Sequence, residues 1–394
     1  MSPAGKEGGA GERAKRPKAA LILTGGGARA AYQVGVLSAI REMLPDPREN
    51  PFPILCGTSA GAINAAALAT TAEDFGAGVL QLRDIWQNFH ASDVYRADPL
   101  GIGATGARWL GALMGGWLFK RGPRALLDNA PLRQLLSRHL DFGRIDSAIA
   151  SQALHSVSLT CSGYNSGQSV SFFQGRPGLD PWQRSQRFGA HVKLNVDHLM
   201  ASSAIPFVFP AVKLHREYFG DGSMRQVAPI SPAIHLGADK ILVVGAARMS
   251  TPESYREPSD SYPTLAQIAG HALSSIFLDS LSVDLERMQR INHTLSLIPT
   301  EVRRSMDMPL RPIEVLEIAP SQRLDRIAAQ HAHSLPWPVR MLLGNIGAMN
   351  KHGGALTSYL LFEPPYTRAL IDLGYHDTQA RREEVLAFLN VSGQ

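Results

Sequence analysis

The sequence predicts a three-layer α/β/α fold built around a central, mostly parallel sheet. Short apolar runs at residues 19–24 and 52–56 are each followed by a glycine-containing turn and then by a helical pattern. A strand–turn–helix arrangement that occurs twice in succession is typical of parallel sheets. A further apolar run at residues 240–244 adds another buried strand. The chain has 394 residues, 44% of them hydrophobic, which is enough for one large α/β domain with additions.

Hydrophobic spacing and turn residues predict the elements in order. The predicted elements are a strand at 19–24, a helix at 29–44, a strand at 52–56, a turn at 57–61 with a small-residue helix after it, a helix at 73–89, a hairpin of strands at 155–162 and 169–173, a short helix at 197–204, strands at 217–220 and 240–244, a long helix at 264–293, and a strand at 314–319. Beyond about residue 325 the pattern is mostly helical.

Composition and charge narrow the class of protein. The formal net charge is +5, and the first 18 residues alone carry +3, so the rest is nearly balanced and no nucleic-acid partner is expected. The two cysteines, Cys56 and Cys161, are too few for a disulfide framework. No secretory signal and no charge-free apolar run of about eighteen residues is found. We therefore expect a cytoplasmic protein that at most touches a membrane from outside.

The strongest chemical signal is a G-x-S-x-G sequence placed between a predicted strand and a predicted helix. Its serine is Ser59, flanked by Gly57, Thr58, Ala60 and Gly61. Small residues allow a tight turn that lifts the serine hydroxyl above the sheet edge, and the following helix brings its positive end beside it. This context predicts that Ser59 is a nucleophile.

A second signal is the glycine-rich loop that follows the first strand. It comprises Gly25, Gly26, Gly27, Ala28 and Arg29. Its backbone N–H groups are free to converge on one point, and such donors suit the oxyanion of a tetrahedral acyl intermediate. Arg29 either holds the loop in place or assists the anion.

A third signal is the sequence Asp221-Gly222-Ser223, which follows an apolar pair at residues 218–219. An Asp-Gly pair on its own is often only a turn. The aspartate gains meaning when it is combined with the glycine loop and the serine turn.

The three signals together resemble the motifs of the patatin-like phospholipases. Residues 200–206 are also similar to the helix end that precedes the aspartate in bacterial members, and the resemblance covers residues 19–245. This sequence has Ala30 where the family has a glycine, and Ser223 where the family has glycine or alanine. Both substitutes are small, so we expect the loop geometry to survive.

The resemblance implies a patatin-like fold and a catalytic Ser59/Asp221 dyad that works without histidine. Ser59 then attacks the ester carbonyl, Asp221 takes its proton, and the amides of residues 25–28 hold the oxyanion. The implied substrate is a phospholipid or another lipid ester, with no cofactor and no metal. The implied organisation is a flexible basic leader at residues 1–18, an acyl hydrolase domain at 19–320, and a mostly helical C-terminal region at 321–394.

Three alternatives remain open. One is a non-catalytic lipid-binding protein, which would keep the pocket without turnover. An ordinary Ser-Asp-His triad would take its histidine from those that follow Asp221, of which the first are His235, His271 and His293. A dinucleotide-binding protein would use residues 25–30 as a phosphate cradle, but its acidic ribose partner is not found at a strand end.

Two segments suit contact with a membrane. Residues 98–125 combine Trp and Phe with Lys and Arg, as expected for a lid or a membrane-facing flap, although ordinary core packing is an equal alternative. The basic leader either touches anionic lipid or stays a solvated arm. Neither the oligomeric state nor the lipid head group follows from the sequence.

Overall fold

The computed structural model describes residues 17–96, 125–245, 264–305, 310–345, 347 and 354–391. All but the last two residues of the predicted basic leader lie outside these ranges. The segment at 98–125, predicted as a lid or flap, also lies outside them except for residue 125.

One mixed sheet of ten strands organises the described part of the chain. The strands are β1 (Ala19–Leu23), β2 (Ile54–Thr58), β3 (Ser156–Gly163), β4 (Ser169–Gly175), β5 (Trp182–Arg184), β6 (Arg187–His191), β7 (Val212–Leu214), β8 (Glu217–Asp221), β9 (Lys240–Val244) and β10 (Glu314–Ile318). Their order is β10-β9-β1-β2-β3-β4-β6-β5, and β8 pairs with both β3 and β7.

The five consecutive strands from the edge strand β10 to β3 are parallel, and this confirms the predicted mostly parallel sheet. Every residue of β1 and β2 is buried, as expected for strands covered on both faces. Strands β3 and β4 form the predicted antiparallel hairpin. The carboxyl ends of β1 and β2 therefore lie side by side, with Leu23 opposite Gly57.

Helices cover both faces of the sheet. The helices are α1 (Ala31–Met43), α2 (Ala60–Thr70), α3 (Phe75–Asn88), α4 (Ala91–Val94), α5 (Ala130–His139), α6 (Gly143–Ala150), α7 (Val196–Ser202), α8 (Ser231–His235), α9 (Leu265–Ser296), α10 (Thr300–Ser305), α11 (Leu324–His331), α12 (Trp337–Asn345), α13 (Gly354–Leu360), α14 (Pro364–Ala380) and α15 (Arg382–Leu389). None of the helices in the described ranges combines the length and the apolarity needed to cross a bilayer.

The side chains of β1 point alternately into two cores, which defines the three layers. Leu21 and Leu23 pack in a core formed by α1, α2, α3 and α14. Ala20 and Ile22 pack on the other face, in a core that contains residues of α8 and α9. The predicted α/β/α architecture is confirmed.

The helical C-terminal region is confirmed as well, and it packs directly onto the first helix. A Cβ atom at Gly35 of α1 would clash with the carbonyl oxygen of Ile371 in α14, and a Cβ at Gly374 of α14 would clash with that of Tyr32. Reciprocal glycines thus bring the two helices into backbone contact. Buried residues of α14, among them Leu370 and Ile371, join the same core as β1.

The predicted strand at 52–56 has different bounds in the structure. Strand β2 starts at Ile54, paired with Ala20 of β1, and it continues through Thr58. Pro53, which has no N–H group to donate to a ladder, lies just before the strand. The predicted turn at 57–61 therefore shrinks to a single residue, Ser59.

Candidate active site

Ser59 alone connects β2 to α2. Its backbone has φ 55° and ψ −129°, a conformation that L-residues rarely adopt and that costs about 1–3 kcal/mol. Steric crowding requires glycine at both glycine positions of the G-x-S-x-G sequence. A Cβ at Gly57 would meet the backbone of Ala62, and a Cβ at Gly61 would clash with the carbonyl oxygen of Leu23. The sharp turn presents the Ser59 side chain beyond the carboxyl end of β2.

Asp221, the last residue of β8, lies directly beside Ser59. The Ser59 hydroxyl donates to Asp221 Oδ2 across 2.5 Å. The other oxygen, Oδ1, accepts from the backbone N–H of Ser223 at 2.9 Å. A Cβ at Gly222 would clash with the carbonyl oxygen of Thr160, so glycine is needed where the chain turns behind the carboxylate. Both carboxylate oxygens are therefore oriented.

Burial changes the acidity of Asp221. Its side chain is fully inaccessible to solvent, and this desolvation raises its pKa to about 6. The hydrogen bonds from Ser59 and Ser223 oppose the rise because they stabilise the charged form. At pH 7 the carboxylate is mostly ionised, yet it is a stronger base than an exposed aspartate.

We expect kcat/KM for ester hydrolysis to depend on a group with a pKa of about 6. A carboxylate that acts as a base must be deprotonated, so the rate should be constant above pH 7 and fall about tenfold per pH unit below pH 5. A pH–rate profile with a soluble short-chain ester measures this. A flat profile down to pH 4, with the protein still folded, would contradict a role for Asp221 as the base.

The glycine loop begins directly after β1. Gly27 has a φ of 54°, and a Cβ there would also clash with the carbonyl oxygen of Tyr359. A short 3-10 turn runs from Gly27 to Ala30, and Gly27 lines the same cavity as Ser59. Within the described part of the chain, no hydrogen bond uses the backbone N–H groups of residues 25–28. That these donors hold an oxyanion stays a prediction.

The side chain of Arg29 contacts the C-terminal region. Its Nε donates to Ser358 Oγ at 2.8 Å, and its guanidinium carbon lies 4.1 Å from the centre of the Tyr359 ring. Of the two roles predicted for Arg29, these contacts fit the one in which it holds the loop.

A chain of buried hydrogen bonds links the glycine loop to α2, the helix that follows Ser59. Gln33 Nε2 donates to the carbonyl of Thr24, just before the loop, at 2.8 Å. Asn64 of α2 donates to Gln33 Oε1 at 3.0 Å and to the carbonyl of Ala30, just after the loop, at 3.3 Å. Trp86 Nε1 donates to Asn64 Oδ1 at 2.9 Å. The two ends of the loop are thus fixed relative to Ser59.

An almost entirely apolar cavity extends from Ser59. With its open mouth and the solvent in it, the cavity encloses about 730 Å³. Its walls come from α2, α3, α5, the segment after α7 and the segment after α13. The lining residues are Gly27, Ser59, Ala60, Ile63, Ala67, Leu82, Ile85, Trp86, Phe89, Val94, Leu132, Leu135, Leu136, His139, Leu140, Ser203, Ile205, Phe209 and Phe362.

Two contributors to the site were missed in the sequence. The hydroxyl of Ser202 accepts from the Ser59 backbone N–H at 2.9 Å and donates to the carbonyl of Thr160 at 2.6 Å, so it fixes the turn. Its signal was present, because it lies in the stretch at 200–206 that resembles the family. Phe362, from the C-terminal region, closes part of the cavity, and no local sequence pattern marks it.

The geometry does not favour the Ser-Asp-His triad. Among the described residues, no histidine hydrogen-bonds Ser59 or Asp221, and His235 is stacked on the Trp182 ring. The backbone of Tyr359 packs closely against Gly27, so this side of the glycine loop contacts the C-terminal region. The described ranges also contain no group of three or more His, Cys, Asp or Glu side chains positioned to hold a metal ion.

Two known proteins are similar in sequence to part of this chain. One similar protein is a cGAMP-activated phospholipase of Pseudomonas aeruginosa (strain BWHPSA011 / Pa011), 28% identical over 210 residues, or 53% of each chain. Another is a cUMP-AMP-activated phospholipase of Escherichia coli, 29% identical over 109 residues, which are 23% of this chain and 34% of the relative. The chain thus spans about half of the first relative and a third of the second.

Two solved structures are more loosely similar. VipD from Legionella pneumophila has 12% sequence identity and a TM-score of 0.33, over 90% of this chain and 67% of VipD. The type III effector protein ExoU has 16% identity and a TM-score of 0.28, over 96% of this chain and 89% of ExoU. The model of the patatin-like phospholipase family matches residues 21–234. Since this match spans more than half of the sequence, the chain belongs to the patatin-like phospholipase family.

Proposed function

We propose that this protein hydrolyses acyl esters of lipids with Ser59 as nucleophile and Asp221 as the single general base. The observation that carries the proposal is the 2.5 Å hydrogen bond from the Ser59 hydroxyl, which lines an apolar cavity, to the buried Asp221 carboxylate. Membership of the family supports the same class of reaction.

Acylation follows from the positions of the side chains. Ser59 Oγ attacks the ester carbonyl carbon while its proton moves to Asp221 Oδ2, the oxygen it already contacts. The carbonyl oxygen becomes an oxyanion, and the available N–H groups of residues 25–28 are its proposed donors. When the intermediate collapses, the alcohol half of the lipid leaves with the proton from Asp221.

Deacylation uses the same base a second time. Asp221, again a carboxylate, takes a proton from a water molecule that attacks the acyl–Ser59 ester. The fatty acid is released, and the proton returns to Ser59. One carboxylate serves both steps because Oδ1 stays anchored to the Ser223 N–H while Oδ2 exchanges the proton.

The cavity is the proposed site for the acyl chain. Its lining side chains are nearly all hydrocarbon, which suits an alkyl chain and offers nothing to a charged head group. We further propose that the catalytic unit extends beyond residue 320 into the C-terminal region, because Phe362 lines this cavity and Ser358 holds Arg29.

Mass-spectrometric product analysis with phosphatidylcholine vesicles tests the proposal. Free fatty acid and lysolipid are expected from wild type, and Ser59→Ala should lower their release by about 10⁴-fold or more. Ser38→Ala is the matched control, since Ser38 is a buried serine whose hydroxyl donates to the Val34 carbonyl of its own helix. Parallel reactions with cGAMP and cUMP-AMP are included because both relatives are named for such activation.

Two outcomes would contradict the proposal. One is the release of a phosphorylated head group without fatty acid, which would indicate cleavage of a phosphodiester. The other is equal turnover by wild type and Ser59→Ala under every condition.

A further inference from the structure

Phe207 is an exposed aromatic residue at a strained position. Its side chain is 77% exposed, and its backbone φ is 65°. The carbonyl of Ile205 accepts from the N–H of Val208 at 3.1 Å, so residues 205–208 form a turn with Pro206 second and Phe207 third. A third turn residue with positive φ is normally Gly or Asn. A bulky aromatic residue there is a genuine outlier.

The fold does not need a phenylalanine at this position. The turn is held by backbone bonds, since the carbonyls of Phe207 and Val208 accept from the N–H groups of Leu126 and Leu127 at 2.8 and 2.9 Å. A glycine or asparagine would satisfy the same bonds without the strain. The side chain is mostly exposed, so burial among the described residues does not offset the cost of the strained backbone.

The neighbours of Phe207 connect this turn to the cavity. Ile205 and Phe209, two positions before and after it, are buried and line the cavity that contains Ser59. The backbone N–H of Asp221 donates to the carbonyl of Ala204 at 3.0 Å, so the same turn adjoins the proposed base. The turn therefore directs two apolar side chains inward and one outward at the site.

We infer that Phe207 is an anchor that inserts into a lipid bilayer and holds the cavity against the bilayer surface. This inference rests on the proposed function, because an acyl chain bound in the cavity must come from a lipid aggregate. An aromatic ring inserts into the boundary between head groups and acyl chains, where its apolar surface leaves water. Insertion beside Ile205 and Phe209 would give the acyl chain an apolar route from the bilayer to Ser59.

Vesicle sedimentation measures the anchor separately from catalysis. All proteins carry Ser59→Ala so that the lipid stays intact, and their partition onto sucrose-loaded phosphatidylcholine vesicles is compared with and without phosphatidylglycerol. Phe207→Asn suits the positive φ, so the fold should be as stable or more so. We expect its partition to fall about tenfold, and Phe207→Trp to restore it.

The matched control is Leu297→Asn. Leu297 is 71% exposed and lies just after α9. Near this end of α9, Asn292 bonds the backbone of Ile313, the residue before β10. Leu297 therefore lies near the amino-terminal end of the parallel strands, whereas Ser59 lies at their carboxyl end. Loss of the Leu297 side chain should leave partition unchanged. Turnover of a monomeric short-chain ester, measured with Ser59 present, should be the same in Phe207→Asn and in wild type.

The outcomes separate the two proposals. Three results would overturn the anchor. In the first two, the parent does not bind vesicles at all, or Phe207→Asn partitions as its parent does. The third result is an equal loss of partition in Phe207→Asn and Leu297→Asn. Loss of monomeric-ester turnover with unchanged partition would instead make Phe207 part of the substrate site. If partition depends on Phe207 but no variant hydrolyses any ester, the anchor stands and the hydrolase proposal fails.

Discussion

Asp221→Asn is expected to lower kcat for ester hydrolysis by about 10³-fold or more. The amide cannot take a proton from Ser59 or from the deacylating water, and loss of a general base costs about 10²–10⁴ in a single step. The geometry should survive, because the amide oxygen still accepts from the Ser223 N–H and the amide nitrogen can donate to Ser59 Oγ. Steady-state kinetics with a short-chain ester measures the loss.

The same substitution is expected to stabilise the protein at pH 8. The pKa of Asp221 is raised from its ordinary 3.8 to about 6, so the fold favours the protonated form. This contribution to stability is fully present below pH 3.8 and is lost as the pH rises through about 6. An uncharged amide avoids the loss, and we expect the free energy of unfolding to rise by about 1–3 kcal/mol at pH 8.

Asp284→Asn provides a matched control for both effects. Asp284 is also buried, burial also raises its pKa, and it accepts a backbone N–H, that of Ile230, at 3.0 Å. Its amide variant should keep wild-type kcat. Near-normal turnover by Asp221→Asn, or equal losses in the two variants, would rule out Asp221 as the base.

Gly27→Ala is expected to lower kcat by about 10²–10³, the usual effect of losing one oxyanion donor. The added methyl group would clash with the carbonyl oxygen of Tyr359, and alanine is strained at a φ of 54°. The loop must therefore shift, and this would displace the proposed oxyanion donors from the cavity that Gly27 shares with Ser59. Steady-state kinetics measures the change in kcat. Circular dichroism checks that the protein is folded, and active-site titration gives the concentration of active protein.

Gly178→Ala separates the backbone strain from the catalytic effect. Gly178 has a φ of 90°, and nothing lies within 4 Å of an added Cβ. It follows β4, whose last residue pairs with the first residue of β3, so it lies at the end of the sheet opposite Ser59. We expect a loss of about 1 kcal/mol in stability and no change in kcat. A folded Gly27→Ala protein with wild-type kcat would exclude this loop as the oxyanion site.

Local patterns predicted most of the fold and the proposed pair of reacting residues. The apolar runs predicted strands because both faces of the central sheet are covered, and alternation predicted the β3–β4 hairpin. Ser59 and Asp221 were recognisable because the small residues beside them, Gly57, Gly61 and Gly222, are imposed by close backbone contacts. Sequence motifs of this kind record local geometry.

Contacts between segments that are distant along the chain could not be predicted from the sequence. Arg29 was identified, but its partners Ser358 and Tyr359 lie more than three hundred residues away along the chain. The entry of Phe362 into the cavity depends on how α14 packs on α1, which no local pattern encodes. Likewise, the amide chain through Gln33, Asn64 and Trp86 joins three helices whose approach is set by tertiary packing.

The most direct test of the account is the site at which a fluorophosphonate becomes covalently attached. Folded wild-type protein is incubated with the probe, and the adduct is located by intact mass and peptide mapping. The account predicts one adduct, on Ser59, which is absent from Ser59→Ala and forms much more slowly in Asp221→Asn. An adduct on a different serine, or folded wild-type protein that stays unlabelled, would contradict it.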